Sequence, residues 1–296
     1  MISYIIGLAA ILVVFSNPIS EFLFPNQFAQ RSHLAPRPWL NESLLAIDAA
    51  NATPPTCPPD AYTARILHRN PLVVYLEAFV SEGERRHLLE ISEPIFTPST
   101  VTHDGNETHR DTSVRDSEVA VVPRSDAVRC IERRARALQG WQPDLFVERL
   151  RTQRYRPGGH YGYHFDWTAN RGGWGRVSSI MAWVESGDVK GGGTKFPFLR
   201  RPGGEALGEW CRFVECRERT GEREDEEQQH KKEQQQEEGE EQEEEGVVFK
   251  VVPGNAVYWE NFAPDGRGYE ETWHAGLAVD EGTKVGLNIW SFGRIR

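Results

Sequence analysis

The sequence lacks an uninterrupted apolar run of about 20 residues, the length a membrane-spanning helix requires. Its N-terminal run, "YIIGLAAILVVF" at residues 4–15, has 12. That length suits the apolar part of a secretory signal. No Lys or Arg precedes it and no clean Ala-x-Ala site follows, although Val14 and Ser16 offer a small-residue cleavage pattern. Residues 1–24 therefore read as a signal peptide, or as a signal anchor in the membrane if "PISEFLF" extends the run. Pro18 and Glu21 oppose that extension. Basic charge is also lacking. The formal net charge is −10, and 14 of 44 acidic but only 5 of 34 basic residues fall in 217–246, leaving 30 against 29 elsewhere. A nearly neutral remainder excludes the basic footprint of a nucleic-acid-binding protein. No helix carries an H-E-x-x-H pair, which removes the usual sign of a zinc hydrolase. Cysteine is scarce, with four residues (Cys57, Cys130, Cys211, Cys216) and three complete pairings open. Cys211 and Cys216 are close enough for a small loop-closing disulfide in an oxidising compartment.

What is present first concerns location. Asn41, Asn51 and Asn106 each begin an N-x-S/T sequon. Beside an apolar N-terminal segment they favour a glycoprotein of the secretory pathway. Residues 25–64, with "ATPPTCPPD", read as a linker or stalk without a core of its own. Globular character begins at "RILHRNPLVVYLEAFV", rich in β-branched and aromatic residues. "SEGE" at 81–84 is a capping box opening a short helix through "RRHLLEIS". A second helix is capped by Ser125, carries an apolar stripe at Val128, Ile131, Ala135 and Leu138, and ends at Gly140.

From about Leu145 short β-type runs follow one another between Gly- and Pro-rich turns, among them "RLRTQRY", "VSSIMAWVE", "AVYWENF" and "KVGLNIWSF". Helices first and strands second give an α+β class with the β part as core. The Glu/Gln tract at 217–246 interrupts that region. It holds almost no apolar residues to offset the entropy of ordering, so it reads as a disordered or solvated helical insert, with partner binding as the alternative.

The chemistry begins at "HYGYHFDW", residues 160–167. Alternate residues of a strand share a face, so His164 and Asp166 point together while Phe165 points away. One imidazole and one carboxylate occupy two positions on a metal, and a second histidine completes a triad suited to non-haem Fe(II). His274 in "TWHAGLAVDEGTKVGLNIW" stands out, with Lys284 ten residues later in a β-type run. A cation inside a barrel needs an anion, and the distal carboxylate of a metal-chelating 2-oxo acid is one.

Taken together these segments resemble the prolyl 4-hydroxylase branch of the 2-oxoglutarate- and Fe(II)-dependent oxygenases, from about residue 72 to 292. "VVYLEAFVSEGERRHLLEIS" is similar to the family's entry strand and helix, and "VRDSEVAVV" with "VRCIERRARAL" to its V-R-x-S stretch and following helix. "ERLRTQRYRPGGHYGYHFDW" resembles E-x-x-Q-x-x-x-Y-x-x-G-x-x-Y-x-x-H-x-D. "RVSSIMAWVE", "GGGTKFP", "VVPGNAVYW" and "WHAGLAVDEGTKVGLNIW" then come in family order.

The resemblance implies a double-stranded β-helix (jelly roll) core with N-terminal helices packed outside, spanning residues 65–296 as one dioxygenase domain. It implies His164, Asp166 and His274 as Fe(II) ligands, with Lys284 pairing the distal carboxylate of 2-oxoglutarate, aided by Thr194. Tyr155 and Trp290 would line the cosubstrate pocket, and Arg115, Glu148, Tyr161 and Arg176 the substrate groove. It further implies O2 and ascorbate, a proline-containing peptide or protein substrate, and the endoplasmic reticulum as compartment. Departures from the family pattern include Gly193 where Glu is usual, Trp183 where Tyr is usual, and Phe292 where enzymes acting on prolyl peptides often carry histidine. The first two are expected to reshape the cosubstrate pocket wall. The third bears on the substrate. Two other readings compete: the same oxygenase chemistry on a non-prolyl or small-molecule substrate, and an inactive jelly-roll binding module. His160 is expected to be a bystander.

Overall fold

The structure is a computed structural model and describes residues 41–103, 107–142, 144–167, 173–203, 206–216 and 246–295. The expected signal or anchor at 1–24, the acidic insert up to residue 245 and the Asn106 sequon lie outside the described residues. No helix among the described residues is long and apolar enough to cross a membrane.

Along the chain come β1 (Thr63–Arg69), β2 (Leu72–Glu77), α1 (Glu82–Ser92), β3 (Thr97–Pro98), β4 (Val101–His103), β5 (Glu107–His109), β6 (Arg115–Asp116), β7 (Glu118–Val121) and α2 (Asp126–Leu138). Next are β8 (Leu145–Val147), β9 (Arg151–Tyr155), β10 (His160–His164), β11 (Trp174–Glu185), β12 (Lys190–Gly191), β13 (Thr194–Phe196) and the short α3 (Ala206–Trp210). The chain closes with β14 (Val247–Phe249), β15 (Ala256–Glu260), β16 (His274–Gly276), β17 (Val279–Glu281) and β18 (Lys284–Arg294).

The described strands pair antiparallel throughout, so the chain is mostly antiparallel β with few helices. One large sheet runs β1-β2-β15-β11-β18-β9-β7-β3 with β8 also on β18, and a smaller one runs β14-β13-β16-β10-β6. Helices do not simply precede the strands, which corrects the expected order. β1 and β2 come before α1, and β3 to β7 lie between α1 and α2. The reason is β2, "LVVYLE", whose central residues are buried on both faces, so it belongs inside the sheet between β1 and β15.

Strand periodicity builds three layers. Val74, Leu76, Ile180, Ala182, Val184, Val285, Leu287 and Ile289 pack in one core with Leu88 of α1 and Val128, Ile131 and Ala135 of α2. The alternate residues Val73, Tyr75, Met181, Trp183, Val257 and Trp259 turn the other way, onto Phe196, Val247 and Phe249 of the smaller sheet. Both helix starts form as the sequence predicts. Ser81 and Glu84 exchange capping-box hydrogen bonds, and the Ser125 hydroxyl accepts from the Val128 amide.

The proline-rich segment, read as a linker or stalk without a core of its own, belongs from Asn41 onward to the compact unit that runs to Arg296. It has few apolar residues to bury, and polar and covalent ties hold it instead. Ala46 N–H donates to the Val147 carbonyl at 2.8 Å, Asp48 pairs with Arg124 at 2.8 Å and Arg129 at 3.0 Å, and Cys57 is bonded to Cys130 in α2. Cys211 and Cys216 close the small loop expected of them. The sequon residues Asn41 and Asn51 are exposed.

Candidate metal centre and its pocket

The smaller sheet solves the distance problem between the two histidines. β10 and β16 are antiparallel neighbours, and their register sets His164 directly opposite His274. Residues more than a hundred positions apart thus become a cross-strand pair. The turn into β10 depends on Gly158, at φ 84°, and on Gly159, where a Cβ would come within 2.8 Å of the Arg156 carbonyl. Asp166 lies just past the end of β10. Phe165 turns away, against Trp167 and Trp273 with ring centroids at 4.4 and 4.6 Å.

His164, Asp166 and His274 each offer one ligand atom, and these atoms all lie within 4.8 Å of one another. Each imidazole is held by its other nitrogen. His164 Nδ1 is 2.9 Å from the Gly162 carbonyl and His274 Nδ1 is 2.8 Å from that of Thr272. A backbone carbonyl can only accept, so Nδ1 carries the proton in both rings and Nε2 presents its lone pair. Phe196 stacks on His274 at 5.2 Å and Trp259 meets it edge-on at 4.9 Å, which fixes the ring plane. Tyr161 stacks on His164 at 3.8 Å. The carboxylate is anchored as firmly, because Trp290 Nε1 donates to Asp166 Oδ2 at 2.9 Å.

Electrostatics keep His164 and Asp166 in ligand form. Burial pushes the His164 pKa down, and His274 beside it acts in the same direction, so the imidazole stays neutral. Burial alone would raise the Asp166 carboxyl, but the positive charge around it, Arg176 at 3.8 Å included, outweighs burial and holds Asp166 below the usual carboxylate range.

A pocket with about 380 Å³ of empty space, open at its mouth, runs from these ligands to Lys284. Lys284 is only 2 % exposed. Its Nζ donates to the Gly192 carbonyl at 2.5 Å and lies 5.1 Å from the centre of the Tyr155 ring. No carboxylate pairs with it among the described residues, and burial pulls its pKa down to about 8. Two further polar atoms at this pocket are buried without a hydrogen-bond partner: Thr194 Oγ1 and Gln153 Nε2.

The other expected residues divide into two groups. Tyr155, Thr194 and Tyr161 line the pocket with the ligands and Lys284. Trp290, expected there too, is not among the lining residues, because its indole is committed to Asp166. Arg115, Glu148 and Arg176 also lie outside the lining, grouped around Trp290 and Tyr161. Glu148 takes Arg176 through both oxygens at 2.9 and 3.1 Å, and Arg176 stands 3.9 Å over the Trp290 ring. A bulge between Arg176 and Ser178 in β11 aims that side chain. Arg115 stands 4.5 Å over Tyr161.

The expectation that Gly193 and Trp183 reshape the pocket wall is corrected, since neither lines it. Trp183 is fully buried in the inter-sheet core, and a side chain at 193 would meet Val248 Cγ1 at 2.7 Å. Phe292 stacks on Trp174 at 6.1 Å, in register with Arg176. His160 bonds the carbonyls of Gly158 and Ser113, outside the lining. Sequence reasoning missed Gln153, Met181, Trp259 and Asn288 as lining residues. Strand parity was a usable signal for two of them, because Gln153 is two residues from Tyr155 and Asn288 four from Lys284.

No protein-family model matches the chain, and no curated protein does. Solved structures of prolyl hydroxylases resemble it. One is the viral collagen prolyl hydroxylase of Paramecium bursaria Chlorella virus-1, at 18 % identity and a TM-score of 0.48, covering 75 % of this chain and 96 % of that one. A Pseudomonas putida prolyl-4-hydroxylase follows at 12 % and 0.45, covering 76 % and 92 %. A prolyl hydroxylase from Trichoplax adhaerens, in complex with a peptide fragment of the hypoxia inducible factor oxygen degradation domain, gives 11 % and 0.45, covering 74 % and 83 %. Identities this low leave the chemistry of the site to its own side chains.

Proposed function

We propose that this chain is an Fe(II)- and 2-oxoglutarate-dependent dioxygenase that hydroxylates a C–H bond, with a prolyl residue of a peptide or protein as acceptor. One observation carries the oxygenase reading: a single pocket holds two imidazoles and a carboxylate at one end and a buried lysine without an anionic partner at the other. The donor set fits the metal. Two Nε2 lone pairs and one carboxylate oxygen on one side leave the remaining positions open, the arrangement suited to non-haem Fe(II). The far end fits a dicarboxylate. The Lys284 ammonium, the Thr194 hydroxyl and the Gln153 amide offer donors that the protein leaves largely unspent. Among the described residues Asp166 is the only carboxylate lining the pocket, so a metal-assisted hydrolase would lack a general base there.

When bound, Fe(II) supplies oxidative decarboxylation of the 2-oxo acid by O2 and oxygen insertion into a C–H bond. The chain's residues do the rest. The Gly162 and Thr272 carbonyls hold the imidazoles in the ligating tautomer, and Trp290 fixes the carboxylate. Lys284 orients the cosubstrate through its distal end, while Met181 and Trp259 exclude water from the wall between. The two packed sheets are read as the jelly roll, and the motif resemblance supports the prolyl acceptor, ascorbate as reductant and a lumenal site of action. Two disulfides fit an oxidising compartment such as the endoplasmic reticulum.

The test incubates the full chain with Fe(II), 2-oxoglutarate, ascorbate and proline-rich peptides. Succinate is assayed and the peptides are weighed by mass spectrometry. Succinate release, one added oxygen on proline, and loss of both in His164→Ala are expected. No succinate with any peptide or small-molecule acceptor would sink the oxygenase reading, and turnover with oxygen on another residue would sink the prolyl one.

A further inference from the structure

Beyond the pocket, on the same face of the large sheet, stands a guanidinium that neither the metal centre nor the cosubstrate end employs. Arg151 lies on β9, two and four residues from Gln153 and Tyr155, and alternate strand residues share a face. The β9–β18 register sets Tyr155 against Lys284 and Arg151 against Asn288. Arg151 therefore sits at the end of the pocket away from Lys284, with its guanidinium carbon 5.4 Å from the centre of the Trp290 ring that holds Asp166.

Three arginines gather here, in different states. Arg176 is satisfied by both Glu148 oxygens and by the Asp166 carbonyl at 3.0 Å. Arg115 donates from Nε to the Ser117 hydroxyl at 3.1 Å, but its Nη2 is buried without a partner. The Arg151 guanidinium makes no hydrogen bond and no ion pair among the described residues, and its Nε is buried without a partner. Among the described residues the carboxylate whose charge bears on Arg151 is Glu148, already taken by Arg176, while Arg176 and Arg115 repel it. A half-buried cation with unmet donors among two others is costly unless an anion arrives from outside. A 2-oxo acid reaching from the metal to Lys284 extends in the opposite direction, so it cannot be that anion.

We propose that Arg151, with Arg115 Nη2, binds a carboxylate of the substrate that is hydroxylated. The acceptor is then an acidic peptide, its carboxylate coming from an Asp or Glu beside the target residue or from a free C-terminus. This rests on the oxygenase reading only for the word hydroxylated; the anion subsite stands on the unpaired guanidinium groups.

The test uses the full chain with Fe(II) and 2-oxoglutarate under anaerobic conditions and measures peptide binding by calorimetry. Four matched proline peptides serve as probes: Glu or Gln beside the proline, and a C-terminal acid or amide. Wild type should bind one carboxylate form at least about tenfold more tightly than its neutral partner. Which pair shows the difference identifies the source of the carboxylate. Arg151→Gln should abolish the preference by weakening the acidic peptide alone, and Arg151→Lys should restore part of it. Equal wild-type affinity for acidic and neutral peptides overturns the proposal, as does an Arg151→Gln loss that is equal for both. Should Arg151→Gln fail to fold, the wild-type comparison and Arg151→Lys still decide. Aerobic succinate release is scored separately. A carboxylate preference without turnover removes the oxygenase reading and leaves the subsite, whereas turnover without preference does the reverse.

Discussion

Lys284 and Arg176 are both cations drawn into the site, and the protein treats them differently. Arg176 is matched from within. Burial would lower its pKa, but Glu148 and Asp166 more than offset this and raise it. Among the described residues Lys284 meets one carbonyl and no carboxylate, and its pKa falls to about 8. A cation that the chain neutralises itself is part of the architecture. Lys284 has a single neutral acceptor and no anion among the described residues, the condition that the proposed cosubstrate would relieve, and Arg151 at the opposite end likewise lacks an anion there.

The sharpest way to break this contrast is to remove the internal partner. Glu148→Gln removes the Arg176 charge's hydrogen-bonded counter-ion and leaves only the more distant Asp166, and the fold should lose about 3 kcal/mol in a urea melt. Such a loss would confirm that Arg176 is internally balanced; an unchanged melt would make the two cations alike. Lys284→Met should act in the opposite sense. The KM for 2-oxoglutarate should rise on the order of a hundredfold with the loss of a charge-assisted contact, while the ligand-free protein melts higher because an unpaired buried charge is gone. A lower melting temperature in Lys284→Met would contradict the account of Lys284 as an unmatched cation.

The pH response sharpens the same point. The folded pKa is about 8 against 10.5 for the free side chain, so between these values the unfolded chain binds a proton that the native state does not. The cost of burying the charge is present in full below pH 8. It is relieved as pH rises, adding up to about 3 kcal/mol to the stability of the ligand-free protein. Paired melts of wild type and Lys284→Met across that window should differ in slope by this amount. Cosubstrate affinity should fall over the same range, because the anion needs the protonated lysine. The smallest effect expected is that of Trp290→Phe, which keeps the ring and deletes the hydrogen bond to Asp166. Fe(II) affinity should drop about tenfold in a metal-binding titration, with little change in the melt.

Part of the site is legible in the amino-acid sequence. The two-residue spacing of His164 and Asp166 places both on one side of the chain, with Phe165 facing away. Ser81 with Glu84, and Ser125 with its apolar stripe, mark both helix starts, because caps and stripes are local properties. His274 and Lys284 emerge from context and resemblance, since nothing local says which of the other eight histidines meets His164. The segment after Asn41 looks like a linker for a related reason. Its composition holds too little apolar surface to announce packing, and the ties that dock it reach far along the chain, 73 positions in the case of the Cys57–Cys130 disulfide. Trp290 is the subtlest case, because its sequence position marks it for the site while its partner, Asp166, lies across the fold.

By itself the sequence determined the residue types of the centre, the parity that aligns His164 with Asp166 and Lys284 with Asn288, and the local signals that start α1 and α2. These follow from dihedral periodicity and short-range hydrogen bonding, which need only neighbours in the chain. The tertiary structure alone decided which histidine stands opposite His164, which cation has a counter-ion and which has none. Strand register and burial set those outcomes, and both depend on segments distant in sequence being packed together.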